Sequence, residues 1–442
     1  MGILRTTKAY VLSRFHVFGS ATFLGTAFYL DWFHIDADRC WAAKAIVPLT
    51  HLFTPETAHR IAVHAASIGF VPGSKSPLTR NTESLKQILW GREFDNPVGV
   101  GAGFDKNGET IPGLFNSGAG FIEIGTITPK AQYGNEKPRV FRLPKDKSVI
   151  NRYGFNNEGL DAVERRLKHI VEGRIDEEGE MLGTSSNPGM GLKGRVGINL
   201  GKNKETVDAV DDYVRGIKRM TKYADYLVIN VSSPNTPNLR QLQRREELTE
   251  LLASVKQARD ASVERMYNSP PILLKIAPDL DLSQMEDIAS VALKYADGLI
   301  ISNTTVARPP LLEIETAKET GGLSGPPLKD QSTRMYQLTQ GRVPIIGCGG
   351  ISNGRDAMEK IKAGASLVQV YTSMVYQGPQ VITKIKREMM EQMQNEGYKN
   401  VSHAVGVDTM QLQRAKERAK EIKKPEEPKK EAFKRIADLV KR

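Results

Sequence analysis

From residue 230 to 236 the chain reads Asn-Val-Ser-Ser-Pro-Asn-Thr, directly after the apolar run Tyr226-Leu227-Val228-Ile229. Amides that both donate and accept, three hydroxyls and a proline make a loop suited to holding a small polar molecule. The same cluster is equally the composition of an ordinary turn. Ser233 is a weak base without help. The chain has no Gly-x-Ser-x-Gly elbow, and no histidine and aspartate accompany this serine locally, so a hydrolase triad is a poor reading. A desolvated serine, hydrogen-bonded through Thr236 or a trapped water, can instead relay a proton beside a hydride acceptor.

The elements that position this loop are read from hydropathy. From about residue 95, short apolar strands alternate with helix-length stretches: Pro97–Val100, Phe121–Ile127, Arg195–Leu200, Tyr226–Val231, Ile272–Ala277, Gly298–Ser302, Pro344–Cys348 and Leu367–Tyr371. Eight such units predict an α/β fold, a parallel (β/α)8 TIM barrel. Arg139–Leu143 and Ser148–Asn151 are expected to form an antiparallel excursion after the second strand. Residues 171–194, rich in Gly, Ser, Asn and Glu, read as a surface insertion.

Barrel enzymes place their chemistry at the carboxyl ends of the strands. In order, these ends supply Gly101-Ala102-Gly103 with Lys106; Gly125-Thr126; Asn199; Asn230 to Thr236; Lys275; Ser302-Asn303-Thr304; Gly349-Gly350; and Tyr371-Thr372. All eight are polar or glycine, which predicts a large site rich in uncharged hydrogen-bonding groups. The last two sit where this architecture binds phosphate, since glycine lets backbone N–H groups approach an anion. Gly101-Ala102-Gly103 would let a flat ring lie on the backbone. Lys275, flanked by Leu273, Leu274, Ile276 and Ala277, is expected to point inward. A fixed cation there calls for an anionic partner, and the electron-rich edge of a reduced flavin is a suitable one.

Composition sets the boundaries. The 442 residues are ordinary globular material, and the two cysteines, Cys40 and Cys348, exclude a disulfide framework or thiolate metal cluster. The net charge is +11, but Gln411–Arg442 alone holds twelve Lys/Arg against six Asp/Glu, so about half of the excess is a solvated tail rather than a nucleic-acid surface. Residues 1–30 carry Arg5, Lys8 and Arg14 and no acid, then run apolar from Val17 to Leu30. That is the pattern of a mitochondrial presequence running into a membrane anchor, although the run is shorter than the roughly 20 residues that comfortably span a bilayer. Two apolar-faced helices are expected next. One carries Trp41, Ala45, Ile46 and Leu49, with Pro48 kinking or ending it. The other opens on Thr54-Pro55-Glu56 and bears Ala58, Ile61, Ala62 and Ala65 on one face.

Segments Gly101-Ala-Gly-Phe-Asp-Lys-Asn-Gly108, Ile150-Asn-Arg-Tyr-Gly-Phe-Asn156, Asn199-Leu-Gly-Lys-Asn203, Asn230–Thr236, Lys275-Ile-Ala-Pro-Asp279, Ser302-Asn-Thr-Thr305, Gly322-Leu-Ser-Gly325 and Cys348-Gly-Gly350 together resemble the class 2, quinone-linked dihydroorotate dehydrogenases, over about Pro55 to His403. The resemblance implies oxidation of (S)-dihydroorotate to orotate in pyrimidine (UMP) biosynthesis, with hydride passing to FMN and electrons on to ubiquinone. It implies that FMN is held by Ala102, Gly103, Lys106, Thr126, Asn151, Asn199, Asn230, Lys275, Ser302, Ser324, Gly325, Gly350, Tyr371 and Thr372. Dihydroorotate would meet Lys106, Asn151, Tyr153, Gly154, Phe155, Asn230, Asn235, Asn303 and Thr304, and Ser233 would take its C5 proton; class 1 enzymes use cysteine there. His59, Arg142 and Tyr371 would line the inner end of a quinone tunnel.

The implied organisation is a targeting segment and anchor over 1–36, a two-helix tunnel unit over 37–75, the FMN-binding barrel over 76–405 and a charged tail over 406–442. The implied setting is the mitochondrial inner membrane, as a monomer touching lipid but no nucleic acid, with the barrel facing the intermembrane space and no metal. Departures from the family's pattern are Ser302 where threonine is more familiar, Cys348 beside the phosphate glycines, and the basic tail. The competing readings are a class 1 dihydroorotate dehydrogenase, opposed by Ser233; a dihydrouridine synthase-like flavin barrel, which predicts a cysteine acid near the flavin; and a membrane scaffold without catalysis, which leaves the eight polar strand ends unexplained.

Overall fold

The computed structural model describes residues 25–29, 31–32, 35, 39–73, 82–172, 194–263, 269–339 and 341–409. The anchor expected over 17–30, most of the targeting segment, the insertion over 171–194 and the tail beyond 409 lie wholly or largely outside them. Among the described residues no helix is long and apolar enough to cross a membrane.

In chain order the strands are β1 (Gln87–Leu89), β2 (Arg92–Phe94), β3 (Val98–Val100), β4 (Phe121–Ile127), β5 (Val140–Leu143), β6 (Ser148–Asn151), β7 (Arg195–Leu200), β8 (Tyr226–Asn230), β9 (Ile272–Ile276), β10 (Gly298–Ile301), β11 (Gly322–Ser324), β12 (Ile345–Cys348) and β13 (Leu367–Val370). Eight of them, β3, β4, β7, β8, β9, β10, β12 and β13, pair in parallel as a closed barrel. This is the TIM barrel that the alternation of strand and crossover predicts. Each strand end lies within one residue of its expected place. The crossovers are amphipathic helices such as Ala209–Met220, which buries Tyr213, Gly216, Ile217 and Met220 while its charged residues complement its dipole, Asp211 in the first turn and Lys218 in the last.

The barrel's amino-terminal end is sealed by apolar side chains. Phe121, Tyr226, Val228, Leu273, Ile300, Ile346 and Leu367 pack with Phe94 of the antiparallel hairpin β1–β2, and Trp90 joins from its turn. That floor keeps chemistry at the opposite end. On the opposite side, β5 and β6 form the expected antiparallel excursion, and β11 adds a third strand through Leu323 opposite Ile150.

Among the described residues, 25–29 and 31–32 are helical, and two longer helices lie between them and the barrel, α1 (Trp41–Thr50) and α2 (Pro55–Ser67). The Thr54 hydroxyl accepts from the Thr57 N–H and Pro55 opens α2, as its sequence predicts. Helix α1 runs two residues past Pro48. The apolar stripe read on α1 divides. Ile46 is half-buried, packed against Trp32, Cys40, Ala42 and Ala43, whereas Trp41, Ala45 and Leu49 face outward, with Leu52, Phe53, Ile61 and Ile68 also exposed. Such a cluster of exposed apolar side chains marks an interaction surface rather than ordinary protein exterior.

Candidate active site

One cavity of about 470 Å³ runs from the carboxyl ends of the strands into the space between α1 and α2. That volume falls in the usual range for small-molecule sites. It is lined by Ser233 and by every residue that the resemblance assigns to FMN, substrate or quinone except Asn199, which is wholly buried behind the wall.

Beneath the cavity, just above the apolar floor, lies a buried polar layer. Glu123 of β4 has no exposed surface, and its carboxylate accepts from Asn199 Nδ2 (2.7 Å), Lys275 Nζ (3.1 Å) and Gln369 Nε2 (2.5 Å). Asn199 Oδ1 in turn accepts from Thr126 Oγ1 at 2.6 Å and from Asn230 Nδ2 at 3.2 Å. Asn199 therefore fixes the rotamers of two cavity-lining groups. Lys275 points inward as its flanking residues predict, but its anionic protein partner, Glu123, is not evident from local sequence. The signal was present: inward alternation from Phe121 passes through Glu123 and Gly125, and a carboxylate in an otherwise apolar strand requires a partner.

The serine loop closes over this layer. Ser233 is buried, and its Oγ accepts the Asn235 N–H at 3.3 Å. Thr236 Oγ1, three residues on, is buried without a partner among the described residues. Asn303 Nδ2 donates to Ser232 Oγ at 2.9 Å, and Asn235 Nδ2 lies 3.4 Å from Asn151 Oδ1. The side chains of Asn151, Asn235, Asn303 and Asn230 thus converge from β6, the serine loop, the end of β10 and β8. Arg240 holds the loop in place, bonding the carbonyls of Ser232 and Thr304 and the carboxylate of Asp279.

Lys106 stands at the other wall. Its Nζ donates to Gly103 O at 2.9 Å and lies 4.0 Å from the centroid of the Tyr153 ring. Burial, reinforced by the nearby Arg139 guanidinium, pushes its ammonium down to about 8. Gly154 and Phe155 follow Tyr153 in left-handed conformations that turn the chain back along the cavity.

Toward β11, β12 and β13 the lining becomes Ser324, Gly325, Gly350, Tyr371 and Thr372, with Thr372 Oγ1 2.8 Å from Ser324 Oγ. A Cβ at Gly350 would stand 2.5 Å from Lys329 Cβ, and its φ of +76° favours glycine, so the backbone comes to the cavity bare. Ser373 Oγ is buried there with no partner among the described residues. A glycine-bared backbone, unpaired hydroxyl capacity and a buried lysine are the donor set that a flavin mononucleotide needs at its phosphate and its ring. The residues present fit that group.

The far end is apolar, walled by Ile46 and Val47 of α1 and Ala58, Ile61, Ala62 and Ala65 of α2. His59 faces inward from α2, with Nε2 2.7 Å from the Phe104 carbonyl and its ring edge-on to Tyr371 at 6.4 Å. Burial, with help from Lys106, lowers its pKa to about 4, so the imidazole is neutral and its Nε2–H donates to Phe104. Arg142 of β5 donates to the carbonyls of His51 and Phe53, while its Nη1 is buried with no partner among the described residues. Glu56 of α2 clamps the buried Arg139 through both carboxylate oxygens, at 3.2 and 2.7 Å. This staple, which the sequence reading missed, ties the helical pair to the barrel.

The family model for dihydroorotate dehydrogenase matches residues 84–393. The chain belongs to the dihydroorotate dehydrogenase family. It is 49% identical over 376 residues to the mouse protein named dihydroorotate dehydrogenase (quinone), mitochondrial, covering 84% of this chain and 91% of that one. It is 50% identical over 378 residues to the rice protein of the same name, covering 83% and 80% of the two chains. The Rhodospirillum rubrum dihydroorotate dehydrogenase (quinone) is 45% identical over 383 residues, covering 86% and 95%. Among solved structures, the Eimeria tenella dihydroorotate dehydrogenase in complex with ferulenol superposes with a TM-score of 0.74 at 43% identity, covering 80% of this chain and 96% of that one. The family model's match spans the barrel and its antiparallel excursion and begins after the two helices.

Proposed function

We infer that this chain oxidises dihydroorotate to orotate in pyrimidine biosynthesis and passes the electrons to a quinone. The observation that carries the reading is the single cavity joining a polar pocket around Ser233 to an apolar passage between α1 and α2. A water-soluble electron donor and a lipid-soluble acceptor need those two environments, and they need them connected.

FMN would be held by Ser324, Gly325, Gly350 and Thr372 toward its phosphate and by Ala102, Gly103, Thr126, Asn151, Asn230, Lys275, Ser302 and Tyr371 toward its ring. When bound, FMN supplies the capacity to accept a hydride from the substrate's C6 and to deliver electrons to the quinone. The protein's own contribution is to bind, orient and move a proton. The asparagines at 151, 230, 235 and 303, with Thr304, offer both donors and acceptors to the substrate ring. Lys106 pairs with its carboxylate, while Tyr153, Gly154 and Phe155 close one side. Ser233 Oγ takes the C5 proton. Thr236 Oγ1, buried three residues on with no partner among the described residues, is the group assigned to take the proton onward. Asn199 acts from behind by fixing Thr126 and Asn230. His59, Arg142 and Tyr371 border the quinone end.

The mouse and rice relatives carry mitochondrial names, and mitochondrial location is assigned to this chain on that likeness. Contact with a membrane is supported by the exposed apolar side chains of α1 and α2. We read them as lying against the inner membrane, with the barrel on the intermembrane-space side, ubiquinone entering between the helices, and the chain working as a monomer.

The test is flavin content. Protein purified in detergent and denatured should release one FMN per chain, identified by mass and absorbance. Protein that carries no flavin, and takes none up, would overturn the assignment of the pocket.

A further inference from the structure

We propose that Glu123 is a positioning residue that acts through Lys275, balancing the charge of that lysine and thereby setting the reduction potential of the bound flavin. The inference rests on the flavin reading above and deepens it. Its ground is a fully buried ion pair inside the barrel, whose side chains are 7% and 0% exposed for Lys275 and Glu123. One carboxylate oxygen takes the ammonium and the Asn199 amide, and the other takes the Gln369 amide. Four strands, β4, β7, β9 and β13, therefore converge on one carboxylate that does not itself line the cavity, while Lys275 does.

An ion pair hidden this way is a weak source of stability, because desolvating two charges offsets their attraction. A leucine or methionine pair would fill a barrel layer as well. The chemistry at the lysine's open side gives the pair a different use. A lone buried ammonium there would strongly favour the reduced, anionic flavin and hold back its electrons. A lysine neutralised from behind still donates a hydrogen bond but exerts a smaller net field. Glu123 thus keeps the potential low enough for onward transfer to a quinone. The Gln369 and Asn199 amides, both neutral donors, hold the carboxylate at the lysine without adding charge.

The experiment is a spectroscopic redox titration of flavin-loaded protein against a reference dye, for wild type, Glu123→Gln and Glu123→Asp. Glu123→Gln keeps shape and removes the charge, so its oxidised–reduced equilibrium is expected to move at least tenfold toward the reduced form, about +30 mV for a two-electron couple. Glu123→Asp keeps the charge and is expected to stay near wild type. An unchanged potential in flavin-loaded Glu123→Gln overturns the proposal, as does an equal shift in Glu123→Asp, which would make shape the cause. Should Glu123→Gln fail to accumulate with flavin, Gln369→Leu decides. Stripping a neutral donor from the carboxylate strengthens its field on Lys275 and should lower the potential, and a rise or no change contradicts the account. Wild type without flavin would count against the flavin reading itself, not against this inference.

Discussion

The hydroxyl of Tyr153 lies 3.4 Å from His59 Nδ1, at the line where the strand-end pocket meets the helical pair. The other side of the same ring carries the Lys106 ammonium. One tyrosine therefore touches both ends of the cavity, and burial raises its own pKa well above the ordinary phenol range, so it stays protonated.

His59 is held neutral by that burial. Replacing it with alanine removes its hydrogen bond to the Phe104 carbonyl, worth about 1 kcal/mol, and loosens the wall at the quinone end, so roughly a fivefold rise in KM for quinone is expected, with flavin reduction by dihydroorotate spared. Its folded pKa of about 4 lies below the unfolded value of 6.5. The unfolded chain thus binds this proton more readily. This share of the stability is complete above pH 6.5 and is lost as pH falls toward 4. Steady-state kinetics across quinone concentrations, together with melting curves from pH 4 to 7 for wild type and His59→Ala, check both halves.

Lys106 loses its charge as pH rises through about 8. If the ammonium pairs with the substrate carboxylate, KM for dihydroorotate climbs above that pH, approaching about tenfold per unit. Lys106→Met should raise KM by about 10- to 100-fold at pH 7, the loss of one charge-assisted hydrogen bond, and flatten the alkaline rise. A pH series of initial rates separates the two enzymes.

Ser233→Ala should retain flavin and slow its reduction by roughly 10²–10⁴-fold, the range expected of general base catalysis. Reoxidation by quinone should be unaffected. Anaerobic stopped-flow measurement of each half-reaction checks this, and near-normal reduction would remove the base from Ser233.

Glu56 clamps Arg139 to α2. Burial alone would raise the Glu56 pKa, but the Arg139 guanidinium outweighs it and holds the carboxyl below its ordinary value. The pair therefore stabilises above pH 4.5 and weakens as pH falls below it. Glu56→Ala leaves a buried guanidinium short of a partner, a change of about 3–5 kcal/mol in fully buried cases and less here because Glu56 is partly exposed. The expected outcome is a lower Tm and a higher KM for quinone, with dihydroorotate binding little changed. Differential scanning calorimetry and half-reaction kinetics read it.

The barrel was legible because buried parallel strands are short apolar runs and their catalytic ends are polar, both local properties. The same locality made the serine loop, the glycine turns and Lys275 readable. What escaped is non-local. Glu123 reaches partners 76, 152 and 246 residues away, and no window of sequence joins them. The hairpin β1–β2 consists of two three-residue strands around Trp90 and Gly91, too short to show a period, yet it supplies Phe94 to the floor. Strand β11 shows in sequence only as the motif Gly322-Leu-Ser-Gly325, because its pairing with β6 spans more than 150 residues. The stripe Trp41, Ala45 and Leu49 shows why periodicity gives a face without a direction: helix α1 is apolar on the outside as well.

The most direct test of the function is an anaerobic titration of the visible flavin band. Dihydroorotate should bleach it, and a ubiquinone analogue should restore it, whereas fumarate or NAD should not. Flavin that dihydroorotate cannot bleach, or that only fumarate or NAD restores, would contradict the account.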